Sequence, residues 1–123
     1  MRKSVLDLKL KKRMKIARNS RNQKYLMELT RDSDDSVLSQ LAFNVNAKAD
    51  VLDKLLQPEV AEIVRIAACY NDNASKGALR GVINTTPKNT LLYSAAMIGL
   101  YGVDTISAIA LMNPEDKEHL LRD

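Results

Sequence analysis

Between Val37 and Val82 the apolar positions recur at helical spacing, and the same arrangement is written twice. In the first copy Val37, Leu38, Leu41 and Ala42 lead into Phe43-Asn44-Val45-Asn46-Ala47, and Val51, Leu52, Leu55 and Leu56 follow. In the second, Val64, Ala68 and Cys69 lead into Tyr70-Asn71-Asp72-Asn73-Ala74, followed by Leu79 and Val82. Matched positions lie 27 residues apart throughout. Each copy predicts two short helices joined by a polar turn. A helix pair of that size cannot bury its apolar face alone, so the pattern predicts stacked units.

The register extends both ways. Upstream, Ala17-Arg18-Asn19 corresponds to Ala42-Phe43-Asn44, and Leu26 and Leu29 correspond to Leu52 and Leu55, with a slightly shorter spacing. Downstream, Leu91, Ala95, Ala96, Ile106 and Ile109 keep the apolar positions, while Ile98 replaces the asparagine and Gly99 and Gly102 are expected to form the turn. Pro58, Pro87 and Pro114 are each expected in the first turn of a new helix, and Ser33 or Asp34 is expected to cap the equivalent start. Units are therefore placed at 5–32, 33–57, 58–86 and 87–112, with a half-unit at 113–123 packing Leu120 and Leu121 inward, all within one domain.

Local chemistry assigns roles to the recurrent residues. Asn44 and Asn71 are expected to stop a helix by entering the left-handed region, and Asn46 and Asn73 to cap the helix that follows. Ala17, Ala42, Cys69 and Ala96 share one helical phase, where a small side chain lets neighbouring helices approach. Cys69 is then a small buried hydrophobe, with Arg65 its one basic neighbour on the helix. Phe43 and Tyr70 occupy equivalent positions, as wedges between units or as partner contacts; packing is the favoured reading. Gly77 and Gly81 either admit a close helix contact or mark a weak helix.

These residues carry a resemblance. Ala17, Asn19, Leu26, Leu29 and Asp32, then Ala42, Asn44, Leu52 and Leu55, then Cys69, Asn71, Leu79 and Val82 together resemble the leucine-rich repeat variant family, and more widely the HEAT-like helical repeats. The resemblance implies an all-α, right-handed α-solenoid of about four two-helix repeats plus a C-terminal half-repeat, with the second helix of each unit short or 3₁₀-like. Some members of that family carry an iron–sulfur cluster on a separate cysteine-rich segment; this chain has one cysteine, so no cofactor is carried over. HEAT-like folds also include DNA glycosylases, whose pocket aromatics and catalytic carboxylate have no counterpart that can be named here.

Composition narrows the rest. The chain is 46% hydrophobic but only 4% aromatic, which suits close-packed helices. The first 24 residues hold ten Lys/Arg against Asp7, a net +9, while the other 99 carry −5. On the first helix Leu6, Leu10, Met14 and Ala17 fall on one arc facing the second unit. Lys11, Lys15 and Arg18 form a ridge beside it, Lys9, Lys12 and Arg13 lie behind, and Arg21 and Lys24 follow the turn. This set is the candidate polyanion-binding surface, or else the solvated cap of the array.

Other candidates read as structural. The acidic turn Asp32-Ser33-Asp34-Asp35 lacks the spacing of a calcium loop. His119 has no partner at suggestive spacing, and no metal ligands or catalytic set can be nominated. The charged N-terminus does not read as a signal peptide, and Leu91 to Met112 reads as two helices rather than a span, so a cytoplasmic chain without membrane contact is expected. The sequence points to a non-enzymatic interaction module for another protein, as a monomer or weak dimer. Nucleic-acid binding through the basic first helix is the alternative, and a glycosylase-type enzyme is a more distant one.

Overall fold

A computed structural model describes residues 4–102. Pro114, His119, Ile106, Ile109 and the half-unit 113–123 lie outside the described residues. Within them the chain is all-helical: a 3₁₀ turn, Val5–Asp7, precedes α1 (Leu10–Asn19), α2 (Gln23–Leu29), α3 (Asp35–Ala42), α4 (Ala49–Leu55), α5 (Glu62–Cys69), α6 (Lys76–Thr85) and α7 (Leu91–Tyr101). The odd-numbered helices pack in sequence, α1 on α3, α3 on α5 and α5 on α7. Of the even-numbered helices, α2 lies against α1, α3 and α4, α4 against α3 and α5, and α6 against α7.

The starts of α2, α3, α6 and α7 are set by side-chain oxygens. Asn22 Oδ1 accepts from the backbone N–H groups of Lys24 and Tyr25, Asp34 accepts from Ser36, Ser75 from Ala78, and Thr90 from Tyr93. Pro58 and Pro87 are not in the first helical turns. Pro58 follows Gln57 in a turn closed by the Val60 N–H on the Gln57 carbonyl, and Pro87 opens one closed by Thr90. A fixed φ suits a tight turn as well as a helix start, and here it serves the turn.

The first unit also departs from a single continuous helix. Leu8 and Lys9 are extended, with φ/ψ of −75/161 and −62/151, so the 3₁₀ turn and α1 are separate pieces. Ser4 caps that turn in a reciprocal box with Asp7. Leu6 therefore does not continue the arc of Met14 and Ala17, and Leu10, as the first residue of α1, is 42% exposed rather than buried.

The core is aliphatic and closely packed. Leu26, Leu29, Val37, Leu41, Val51, Leu52, Leu55 and Val64 are fully buried, as expected from the repeat register. The small-residue phase holds too: Ala17, Ala42, Cys69 and Ala96 are all buried where successive odd-numbered helices meet. Gly99 does not form a turn; it lies inside α7, and a Cβ there would collide with the backbone carbonyl oxygen of Cys69. The chain leaves α7 at Gly102, whose φ of 83 is the one positive value among the described residues. Gly77 and Gly81 meet nothing within 4 Å, so they permit no close contact and only weaken α6.

The two glycine classes predict opposite signs. Gly81→Ala removes backbone freedom from an exposed helix interior and should stabilise the fold by about 0.5–1 kcal/mol. Gly99→Ala forces α7 off α5 and should cost about 1–3 kcal/mol. Urea unfolding of both variants against wild type checks the pair.

Candidate functional site

The turns that end α3 and α5 position the candidate contact residues, and their recurrent asparagines act across units. Asn44 is fully buried, and its amide nitrogen donates to the carbonyl oxygens of Ala17, at 2.8 Å, and Ser20, at 2.9 Å, in the preceding unit. Its Oδ1 accepts from the Asn46 N–H at 2.7 Å, which folds the turn locally. Asn71 repeats the arrangement one unit later: it donates to the carbonyls of Ala42 and Asn44 and accepts from the Asn73 N–H. The last carbonyls of a helix have no partner within that helix. Here the following unit supplies the donor.

This corrects two sequence expectations. Neither asparagine is left-handed, and the residues that end α3 and α5, Phe43 and Tyr70, keep φ near −85. Asn46 and Asn73 do not cap the next helices, which start behind Lys48 and Ser75. Asn73 is instead a second bridge, donating to the carbonyls of Val45 and Ala47, both at 2.9 Å. Gln23 makes the corresponding link between the first two units, donating to the Asn46 carbonyl at 2.7 Å and accepting from the Lys48 N–H.

Each bridged turn carries a ring on its outer side. Phe43 and Tyr70 are 48% and 52% exposed, so they are not wedges between units. With Val45, which is 80% exposed, they line a groove of about 260 Å³ whose other walls are Ala42, Asn71, Asp72 and Asn73. The Arg18 guanidinium lies 5.3 Å from the centre of the Phe43 ring and donates to Gln40 at 3.2 Å, which joins the groove to the end of α1.

Of the nominated cations, Lys9, Lys11, Lys12, Lys15, Arg18, Arg21 and Lys24 are exposed. Arg13 departs from the set. Its Nε donates to Asp32 at 2.8 Å and its Nη1 donates to the Leu8 carbonyl at 2.6 Å, and the Asp32 side chain is only 3% exposed. Asp32 also accepts from the Asp34 N–H, so the acidic turn is consumed by capping and by this one ion pair. Arg13 fixes the chain reversal around Leu8, and its charge is already paired with the buried Asp32 carboxylate. Sequence reasoning missed this pairing because it joins residues 19 apart. It also missed Ile63 and Leu91, apolar residues exposed at the starts of α5 and α7.

No group of three or more His, Cys, Asp or Glu side chains is placed to hold a metal among the described residues. Nor is any described helix long and apolar enough to cross a membrane. Cys69 is buried, and that burial pushes its thiol up to about 11, against the opposing pull of the Arg65 charge. Comparison of the chain with family models, with curated proteins and with solved structures finds no match.

The Cys69 environment predicts a thiol inert in the folded protein. Its displacement from 9.0 to about 11 lowers the thiolate fraction at neutral pH by about 100-fold, and burial adds to that. Iodoacetamide should label the folded chain at least that much more slowly than the urea-unfolded chain. Because the folded value is the raised one, this thiol's contribution to stability is complete below its ordinary value and is lost as pH climbs toward 11. Labelling rates and urea midpoints measured through that window check both statements.

Proposed function

We propose that the chain is a non-enzymatic helical-repeat module that binds another protein in the cytoplasm. In this reading the units 5–32, 33–57, 58–86 and 87–112 wind as a right-handed superhelix of the leucine-rich repeat variant or HEAT-like kind. The observation that carries the proposal is the outward placement of Phe43, Val45 and Tyr70 around one groove on consecutive bridged turns. Large apolar side chains left in water on a rigid backbone lose little entropy when a partner covers them, which is the character of an interface anchor. Their positions are held by asparagine bonds that have no catalytic geometry.

The exposed cations favour a second reading, polyanion or nucleic-acid binding through α1. Lys9, Lys11, Lys12, Lys15, Arg21 and Lys24 have no carboxylate within ion-pair distance among the described residues. Such a surface neutralises phosphates without sequence preference, and its affinity falls as salt rises.

Cross-linking pull-down from native lysate, with and without nuclease, separates the readings. The protein-binding module recovers a partner that survives nuclease and is lost with the Phe43→Ala/Tyr70→Ala variant. Recovery that depends on nucleic acid and on Lys11, Lys12 and Lys15, or no cross-linked protein at all, contradicts it. Arg13 is left intact in every variant, because its loss would strand the Asp32 carboxylate and disturb the fold.

A further inference from the structure

The solvent-facing ridges of α1, α3 and α5 change character in order. On α1 the ridge is Lys11, Lys15 and Arg18; on α3 it ends in Phe43; on α5 it runs from Ile63, 63% exposed, to Tyr70. Lys11, Lys15 and Arg18 are spaced by four and three positions and Ile63 and Tyr70 by seven, so each set stands in line along its helix. Arg18 over Phe43 is the junction between the charged and the apolar parts. Beyond that junction the exposed large side chains are Phe43, Val45, Ile63 and Tyr70, and the carboxylate in the groove wall is Asp72. The surface is therefore polarised, cationic at one end and apolar at the other, with an acid beside the apolar end.

We propose that this ridge takes an acidic segment of a partner protein, with a cluster of Asp/Glu on α1 and one aromatic or large aliphatic side chain in the groove between Phe43 and Tyr70. The inference rests on the protein-binding reading and names its partner class. A polynucleotide carries charge at every step and would bring phosphate against Asp72; a peptide can confine its charge to one end. Packed helix axes lie about 9 Å apart, so the groove, between α3 and α5, stands about 14 Å from α1. An extended peptide covers that distance in about four or five residues, which fixes the spacing between acids and anchor. The groove, at about 260 Å³, has room for one large side chain.

The test selects displayed random peptides of about twelve residues, long enough to span the ridge, against the full chain. The leading sequence is then titrated by fluorescence anisotropy. The expected result is enrichment of an Asp/Glu cluster about four or five residues from an aromatic or aliphatic residue. Binding should weaken with salt, and Kd should rise at least about tenfold for Lys11→Glu/Lys15→Glu and for Tyr70→Ser. Unfolding midpoints confirm that these surface variants fold; should Tyr70→Ser fail, Val45→Ser, on the same groove wall, replaces it. Selected peptides that lack acids and respond only to Tyr70→Ser overturn this inference and leave the protein-binding reading standing. Failure to enrich any motif, or binding indifferent to both variants, also overturns it. An oligothymidylate of the same length that binds more tightly than the leading peptide, through the same residues, removes both.

Discussion

The structure depends on a side-chain amide that satisfies the carbonyl ends of the helix before it. α1 and α3 each finish with carbonyl groups that have no donor within the helix, and the asparagine of the next unit supplies one. A donor from water would serve an exposed helix end, but these ends are closed off by the following unit, and Asn44 is wholly buried. An unpaired polar group in that position costs about 1–3 kcal/mol. That is large against a domain stability of about 5–15 kcal/mol, so the repeat spacing follows from hydrogen bonding as much as from apolar packing.

The same bonds explain where the outward-facing residues sit. One amide joins two units through its nitrogen and folds its own turn through its oxygen, which holds the preceding residue, Phe43 or Tyr70, at the edge of the turn. Beneath, the alanine and cysteine slot brings successive odd-numbered helices together, and Gly99 extends that closeness to α7. At the other end, Arg13 and Asp32 tie the reversal at Leu8 to the start of the second unit. A repeat made this way fixes a backbone and leaves its outer positions free to differ, from Arg18 to Phe43 to Tyr70.

Much of this frame was legible in the sequence, because helical periodicity reports burial directly. The helix pairs, the small-residue phase, the cap at Asp34 and the buried thiol all follow from local pattern. The function of the asparagines did not, since a left-handed stop and a bridge to residues 24 to 29 positions away leave the same local signature. Nor did the break at Leu8, because alternating charge and leucine fits one helix or two pieces. The eight candidate cations were visible as a cluster, but one is bound to a carboxylate distant in sequence. For Phe43 and Tyr70 the period fixed the helix face, yet a ring at a helix end can turn inward or outward, and only the fold decides.

The Asn44 amide nitrogen joins the first two units, and Asn44→Asp tests that link at constant shape. The substitution keeps the acceptor for the Asn46 N–H but places a carboxylate oxygen against the carbonyls of Ala17 and Ser20. Equilibrium urea unfolding should show a loss of about 2–4 kcal/mol, while Asn19→Ala, at an exposed position with no side-chain bond among the described residues, stays within about 0.5 kcal/mol of wild type. An Asn44→Asp protein as stable as wild type would mean that this amide does not hold the two units together.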